Sequence, residues 1–299
     1  MSVKLLLSLT VAAVLTGCTT PEIAQPAGLK TLEPIKQACG TRDGWSDPAP
    51  PSHVFGNVYM VGTCGITVLL ITTSDGHFLI DGATAEAAAG IAENIRKLGF
   101  DPKDVRYLLA THEHLDHVGG TAELKRITSA KFVTRSAAVA AMASGLPQAD
   151  DPQHNIHPAF EGVKTDMIIE DGDALRIGKQ ALTMIATSGH TPGGTSWTWK
   201  SCEGKTCRQI VYADSLNAVS ADAYRFSDHP AYVATLRASI ARISELTNCD
   251  ILISPHPFQS NFFDRLAGDM PLVDPKGCAT YAGNARERLD TRLSQEAGK

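Results

Sequence analysis

Several things this chain lacks narrow its function before any motif is considered. It has no run of basic residues and carries a formal net charge of −5, which argues against a nucleic-acid partner. It has no Cys-x-x-Cys pair, which disfavours a cysteine-ligated zinc cluster. No tandem short repeat appears, so a solenoid is not expected. The apolar run near its start, Leu5 to Leu15, is too short for a transmembrane helix, which needs about 20 residues.

That run reads instead as a secretory signal: one charge at Lys4, a short apolar core, then small residues. It closes at Leu15-Thr-Gly-Cys18, which resembles a bacterial lipobox and implies a lipid on Cys18 after cleavage, with Thr19 favouring the outer membrane. A periplasmic protein is expected, touching the membrane only through that N-terminal lipid. The chain has seven cysteines, and removing Cys18 leaves Cys39, Cys64, Cys202, Cys207, Cys249 and Cys278. In an oxidising compartment disulfides follow, and six cysteines allow fifteen pairings. Neighbour pairing is the simplest, and Cys202-Glu-Gly-Lys-Thr-Cys207 suits a hairpin staple. Residues 19–38 are rich in Pro, Ala, Thr and Gln without periodicity and read as a tether, so the domain is expected over 39–299. A hydrophobic content of 43% supports a substantial core.

The chemistry is concentrated in Thr111-His-Glu-His-Leu-Asp-His117. An apolar strand, Tyr107 to Ala110, delivers the chain to His112, and Gly119-Gly120 turns it away on the far side. Extended chain repeats with period two, so His112 and His114 face one way and suit one metal ion. Asp116 and His117 follow a bend and can face a second ion roughly 3.5 to 4 Å away, as in two-metal hydrolases. Isolated histidines are usually ordinary surface or core residues, and His53, His77 and His229 are read so, with His154 and His157 at most supporting the site. Three of the chain's ten histidines within six positions, beside an Asp, are a different matter. Two further ligand candidates each follow an apolar strand: His190 in Ser188-Gly-His-Thr-Pro-Gly-Gly194, and His256 between Pro255 and Pro257.

Around the motif, strands are predicted over 55–62, 66–73 and 77–80, then a helix from Thr84 ending at Gly99. After Gly120 come a helix (121–127), a strand (131–134) and a helix (136–143). Residues 145–163 form a long irregular segment, read as a lid. Strands over 167–170, 174–177 and 180–186 open a second half. A hairpin of 197–200 with 209–212, a helix over 230–246, a buried strand over 250–254 and a charged helix over 282–295 complete it. Two halves of strands followed by helices suggest an α/β fold of two sheets packed face to face with helices outside.

The motif His112-x-His114-x-Asp116-His117 resembles the signature of the metallo-β-lactamase superfamily. Ser215 in Tyr212-Ala-Asp-Ser-Leu-Asn-Ala218 stands where one subclass has a cysteine ligand, and with His117 and His256 it resembles subclass B3. The resemblance runs from about Cys39 to the C-terminal helix, through Gly62-Thr-Cys-Gly65 and His190-Thr-Pro-Gly-Gly-Thr-Ser-Trp-Thr-Trp199. It implies the αββα sandwich with two mixed sheets, three disulfides among the six cysteines, and a monomer that takes β-lactam antibiotics.

It also implies two Zn2+, one on His112, His114 and His190, the other on Asp116, His117 and His256. A hydroxide bridging them, oriented by Asp116, would open penicillins, cephalosporins and carbapenems. Two zincs offset by Asp116 and hydroxide would leave a pocket of about +2, suited to an anionic substrate. By the same resemblance Ser215 and Asn217 bind the substrate carboxylate and Gln153 contacts it from the lid. The competing reading is a lactonase or thioesterase of the same fold, several of which place a metal-bridging Asp where Asp214 stands.

Overall fold

A computed structural model describes residues 33–298. The expected signal, Cys18 and the tether up to residue 32 lie outside them. The strands alternate their side chains between two layers, and that alternation fixes the architecture. Strands β1 (Ser52–Phe55), β2 (Val58–Met60), β3 (Leu69–Thr73), β4 (Gly76–Ile80), β5 (Val105–Leu109), β6 (Lys131–Thr134) and β7 (Met167–Ile168) form one sheet in that order. It is antiparallel up to β4 and parallel from β4 onward. The second sheet runs β12 (Ile251–Ile253), β11 (Thr206–Tyr212), β10 (Thr195–Glu203), β9 (Gln180–Ala186), β8 (Ala174–Ile177), with only β11 and β12 parallel.

Val58, Met60, Leu69, Ile71, Phe78 and Ile80 of the first sheet pack against Ile210, Tyr212, Ile251 and Ile253 of the second in one buried core. The residues between them point the other way. Tyr59, Leu70 and Leu79 meet Ile91 and Ile95 of helix α2 (Ala88–Lys97) and Leu124 of helix α4 (Thr121–Thr128). Val211 and Leu252 meet Leu236 and Ile240 of helix α6 (Pro230–Ser244) and Ala285 and Leu289 of helix α8 (Gly277–Ala297). A sheet with two apolar faces needs cover on both, and the outcome is the expected αββα sandwich.

The boundaries differ from the sequence reading in instructive places. Helix α1 (Ile35–Cys39) falls largely within the stretch read as a tether, ahead of the expected domain start at Cys39. Ile35 and Cys39, one helical turn apart, are both buried, and Lys36 pairs with Asp264 and Asp269 beside helix α7 (Phe262–Ala267). Both helices are too short to show a helical period in sequence. The C-terminal helix starts at Gly277, well before Ala282, because Cys278 in its first turn is bonded to Cys249. The other disulfides are Cys39–Cys64 and Cys202–Cys207, so neighbours pair throughout. Cys202 and Cys207 are direct cross-strand partners inside the β10–β11 hairpin, whose strands run on past the expected ends to embrace them.

Candidate metal centre

The loops that leave the C-terminal ends of β4, β5, β9, β11 and β12 gather at one edge of the sandwich, where open α/β sheets place their ligands. They bring Asp81, His112, His190, Asp214 and His256 respectively. His114 remains extended (φ −91°, ψ 151°) and caps the short helix α3 (Leu115–Val118), so Asp116 and His117 fall on its first turn, after the expected bend. Trp197 Nε1 donates to the Ala110 carbonyl at 3.0 Å and Thr195 N to the Thr111 carbonyl at 2.7 Å, lashing the motif strand to the second sheet.

Each of the six predicted ligands turns an atom into this edge. Inward-facing atoms of His112, His114 and His190 lie within 4.8 Å of one another, and those of His112, Asp116 and His117 do so too, so the two sets adjoin. In the second set Asp116 Oδ2 is 3.1 Å from His117 Nε2 and 3.4 Å from His256 Nε2, and the two nitrogens are 3.4 Å apart. A tetrahedral zinc with bonds of 2.0–2.1 Å separates its ligands by about 3.3 Å, so this triangle has the edges one ion requires. His112 Nε2 is buried with no hydrogen-bond partner, as a nitrogen reserved for a metal would be.

The other nitrogen of every ring is spoken for. His112 Nδ1 meets Asp214 Oδ1 at 2.8 Å, His114 Nε2 meets Asp151 Oδ2 at 3.0 Å, and His117 Nδ1 meets Asp81 Oδ2 at 3.3 Å. His190 Nδ1 donates to the Asn217 carbonyl at 2.9 Å and His256 Nδ1 to that of Gly65 at 3.3 Å. A metal-binding imidazole characteristically donates its second N–H to a carboxylate or carbonyl, which fixes ring and tautomer. Burial and neighbouring rings hold His112 well below its ordinary pKa, and burial first of all holds His190 near 3 and His256 near 4. These three present free lone pairs at neutral pH. Burial alone would raise Asp116, but His117 and His256 outweigh it and keep the carboxylate ionised. The residues fit a pair of zinc ions.

Four acids stand behind the ligands: Asp214, which the sequence reading weighed only as a metal-bridging residue of the competing hydrolases, and three to which it gave no role. Asp81, Glu113, Asp151 and Asp214 are all at most 2% exposed. Asp81 accepts from Thr111 N (2.7 Å), Thr111 Oγ1 (2.8 Å) and Tyr212 Oη (2.9 Å) as well as facing His117. Glu113, between the first two ligands, accepts from Thr191 Oγ1 and Gly193 N at 2.7 Å each, joining the motif to the His190 loop. A Cβ at Gly193 would sit 2.6 Å from that carboxylate, so only glycine fits there. The expected pocket charge of about +2 counted Asp116 and a hydroxide against two ions and left these four acids out. Asp214 touches His112 on the side opposite its inward Nε2, behind the ligands instead of between them.

The predicted substrate residues fare differently. Ser215 is fully enclosed and its hydroxyl has no partner among the described residues, as has the buried Asn217 Oδ1. Asn217 acts on His190 through its carbonyl. Gln153 is buried, with Nε2 at 3.4 Å from both His114 Nδ1 and His190 Nε2. His154 bonds only within the lid, to the Pro147 carbonyl, and His157 packs its ring on Trp45.

The family model of the metallo-beta-lactamase superfamily matches residues 61–203. Among solved structures, the metallo-β-lactamase MIM-1 from Novosphingobium pentaromativorans is 49% identical with a TM-score of 0.86, covering 88% of this chain and 98% of its own. MEM-A1, a subclass B3 metallo-β-lactamase from a soil metagenome library, is 40% identical with a TM-score of 0.81, covering 85% of this chain and 99% of its own. The chain belongs to the subclass B3 metallo-β-lactamases. Similarity to curated relatives is more distant: the N-acyl homoserine lactonase AttM of Agrobacterium fabrum is 29% identical over 161 residues, 44% of this chain and 58% of that protein. The chain spans about half the length of the curated relatives it matches. B3 membership accounts for Ser215 at the turn after β11, and the position of Asp214 agrees with it, since the acid that would have favoured the lactonase reading does not reach between the ligand sets.

Proposed function

We propose that this protein is a di-zinc β-lactamase that opens the amide of penicillins, cephalosporins and carbapenems and so confers resistance to them. The observation that carries the reading is the pair of adjoining ligand sets, His112, His114, His190 and Asp116, His117, His256, with every imidazole braced from behind. Zinc ions held by these residues would supply Lewis acidity and lower the pKa of a bound water to near neutral, making it available as the nucleophile. Asp116, buried and ionised, is the group we assign to orient that water. The unpartnered Ser215 hydroxyl, with Asn217 and Gln153, forms the polar set we assign to the substrate carboxylate and its neighbours. Export to the periplasm, a lipid on Cys18 and a monomeric state are part of the same proposal.

The test is steady-state hydrolysis of a carbapenem by the purified protein, with zinc added and again after chelation, alongside an acyl homoserine lactone. Carbapenem turnover that chelation abolishes, with zinc content near two per chain, is the expected result. Lactone turnover without β-lactam turnover would overturn the proposal in favour of the AttM-like activity.

A further inference from the structure

We infer that Asp151 is the positioning residue for His114, so that the lid and the three-histidine ligand set order and loosen together. The inference rests on the metal-site reading above. Four of the five rings are braced by the ends of strands or the loops that directly adjoin them. Asp81 closes β4, Asp214 follows β11, Gly65 lies in the connection between β2 and β3, and Asn217 lies five residues past the end of β11. His114 is different. Its brace comes from the 145–163 segment, which contains no strand or α-helix of its own.

The contact is built to hold one ring state. Asp151 is 2% exposed, its Oδ1 accepts from Gln153 N at 2.7 Å and its Oδ2 faces His114 Nε2 at 3.0 Å. With His114 Nε2 turned to that oxygen, Nδ1 is left on the side of Gln153 and His190, where a ligand atom is needed. The rest of the segment is arranged to deliver that carboxylate. Its neck is closed by Phe160 N donating to the Gly145 carbonyl (3.0 Å) and Val163 N to that of Met142 (2.7 Å). Ala221 N donates to the Pro152 carbonyl at 2.9 Å, and Gln148 Nε2 to that of Ala137 at 2.6 Å. Asp151, Pro152 and Gln153 are therefore buried against the site, while Asn155 and Ile156 at the crest are exposed. The segment read as a lid thus has a fixed centre, and His114 is what it is fixed to.

Linkage makes the coupling reciprocal: an ion that needs His114 in this orientation favours the docked lid, and undocking weakens the ion by the same factor. Zinc affinity is read by competition with a chromogenic chelator, and backbone hydrogen exchange is followed over 145–163, for wild type, Asp151→Ala and Asp151→Asn. The wild type is expected to bind two zincs and to exchange lid amides faster once chelated. Asp151→Ala is expected to lose roughly 10–100-fold in affinity at one zinc only and to exchange its lid quickly with or without metal. Asp151→Asn keeps an oxygen opposite Nε2–H and is expected to retain most of that affinity. It also preserves the comparison if the alanine chain fails to fold. Equal affinities at both zincs in wild type and Asp151→Ala, or lid exchange indifferent to zinc in the wild type, would overturn the inference. A wild type that binds no zinc at all would overturn the metal-site reading and this inference with it.

Discussion

Asp81 is the acid whose removal should be felt first in the fold and second in the metal. It sits at the end of β4 in the left-handed region (φ 67°), which Asp tolerates better than most residues, and donors converge on it from three directions. In Asp81→Ala, the buried Thr111 N–H and Thr111 hydroxyl lose their acceptor, at about 1–3 kcal/mol for the first and somewhat less for the rotatable second. Tyr212 Oη is not counted, because the Thr67 carbonyl at 2.7 Å offers its proton another home. Holding alanine at positive φ adds about 1 kcal/mol. The sum is about 4 kcal/mol, a large share of the 5–15 kcal/mol typical of a whole domain. Urea unfolding of the chelated protein measures this without contribution from zinc, provided the slope is unchanged. Asp81→Asn, with one oxygen still available and a side chain that accepts left-handed backbone, should lose about half as much. A loss below about 1 kcal/mol for Asp81→Ala would refute the claim that these donors depend on Asp81.

Three further outcomes follow from the same reasoning. Glu113→Gln should cost less than about 1 kcal/mol, since the Gln oxygen can accept from Gly193 N and the Thr191 hydroxyl can turn to accept from the amide, whereas Glu113→Ala strands both donors and should cost about 3 kcal/mol by the same urea assay. Burial alone would raise the Glu296 pKa, but the Ser227 and Phe226 N–H groups and Arg292 lower it. Its stabilisation is present above the ordinary carboxylate range and lost as pH falls through the lowered value, so the thermal midpoints of wild type and Glu296→Gln should converge between about pH 6 and about pH 3. Removing the Cys202–Cys207 pair, which spans five residues, should cost about 2 kcal/mol, and removing Cys39–Cys64, which spans 25, about 3.5 kcal/mol; chemical denaturation of the double-alanine chains checks the order.

The clustering of the six candidate ligands was legible because its signal is local: four in one short motif, and His190 and His256 each flanked by the glycines or prolines that a tight loop at a strand end needs. Buried strands such as Leu69–Thr73 and Ile251–Ile253 announced themselves as short apolar runs between turn residues. The acids behind the ligands gave no such signal. Asp81-Gly82 reads as an ordinary turn, Asp151 as one acid of an acidic pair in a polar loop, and Glu113 as the spacer of the motif. What singles them out is distance: Asp214 is 102 positions from His112 and Asp151 is 37 from His114. The one available hint was position, since Asp81 and Asp214 follow apolar strands at the same sheet edge as the histidines. The 145–163 segment was legible as irregular chain, but the burial of Asp151–Gln153 was not, because it depends on partners that only the folded chain supplies.

The charge of the site follows from that hidden layer. Five buried acids, Asp81, Glu113, Asp116, Asp151 and Asp214, share one edge of the sandwich. Two zinc ions would bring +4, so the full complement of ionised acids would leave −1 before any hydroxide is counted, in place of the surplus that the first layer alone suggests. Without divalent cations the same acids must be balanced by protons. Burial pushes the carboxyls of Glu113 and Asp214 up, and at His117, where burial works in the opposite direction, Asp116 and Asp81 raise the imidazole to about 10. Protons and zinc therefore compete for one set of negative charges, and metal loading must expel protons. An anionic substrate of the proposed kind would then feel little long-range pull. Its recognition would fall to short-range donors, and the enclosed Ser215 hydroxyl, unpartnered among the described residues, is the one we assign first.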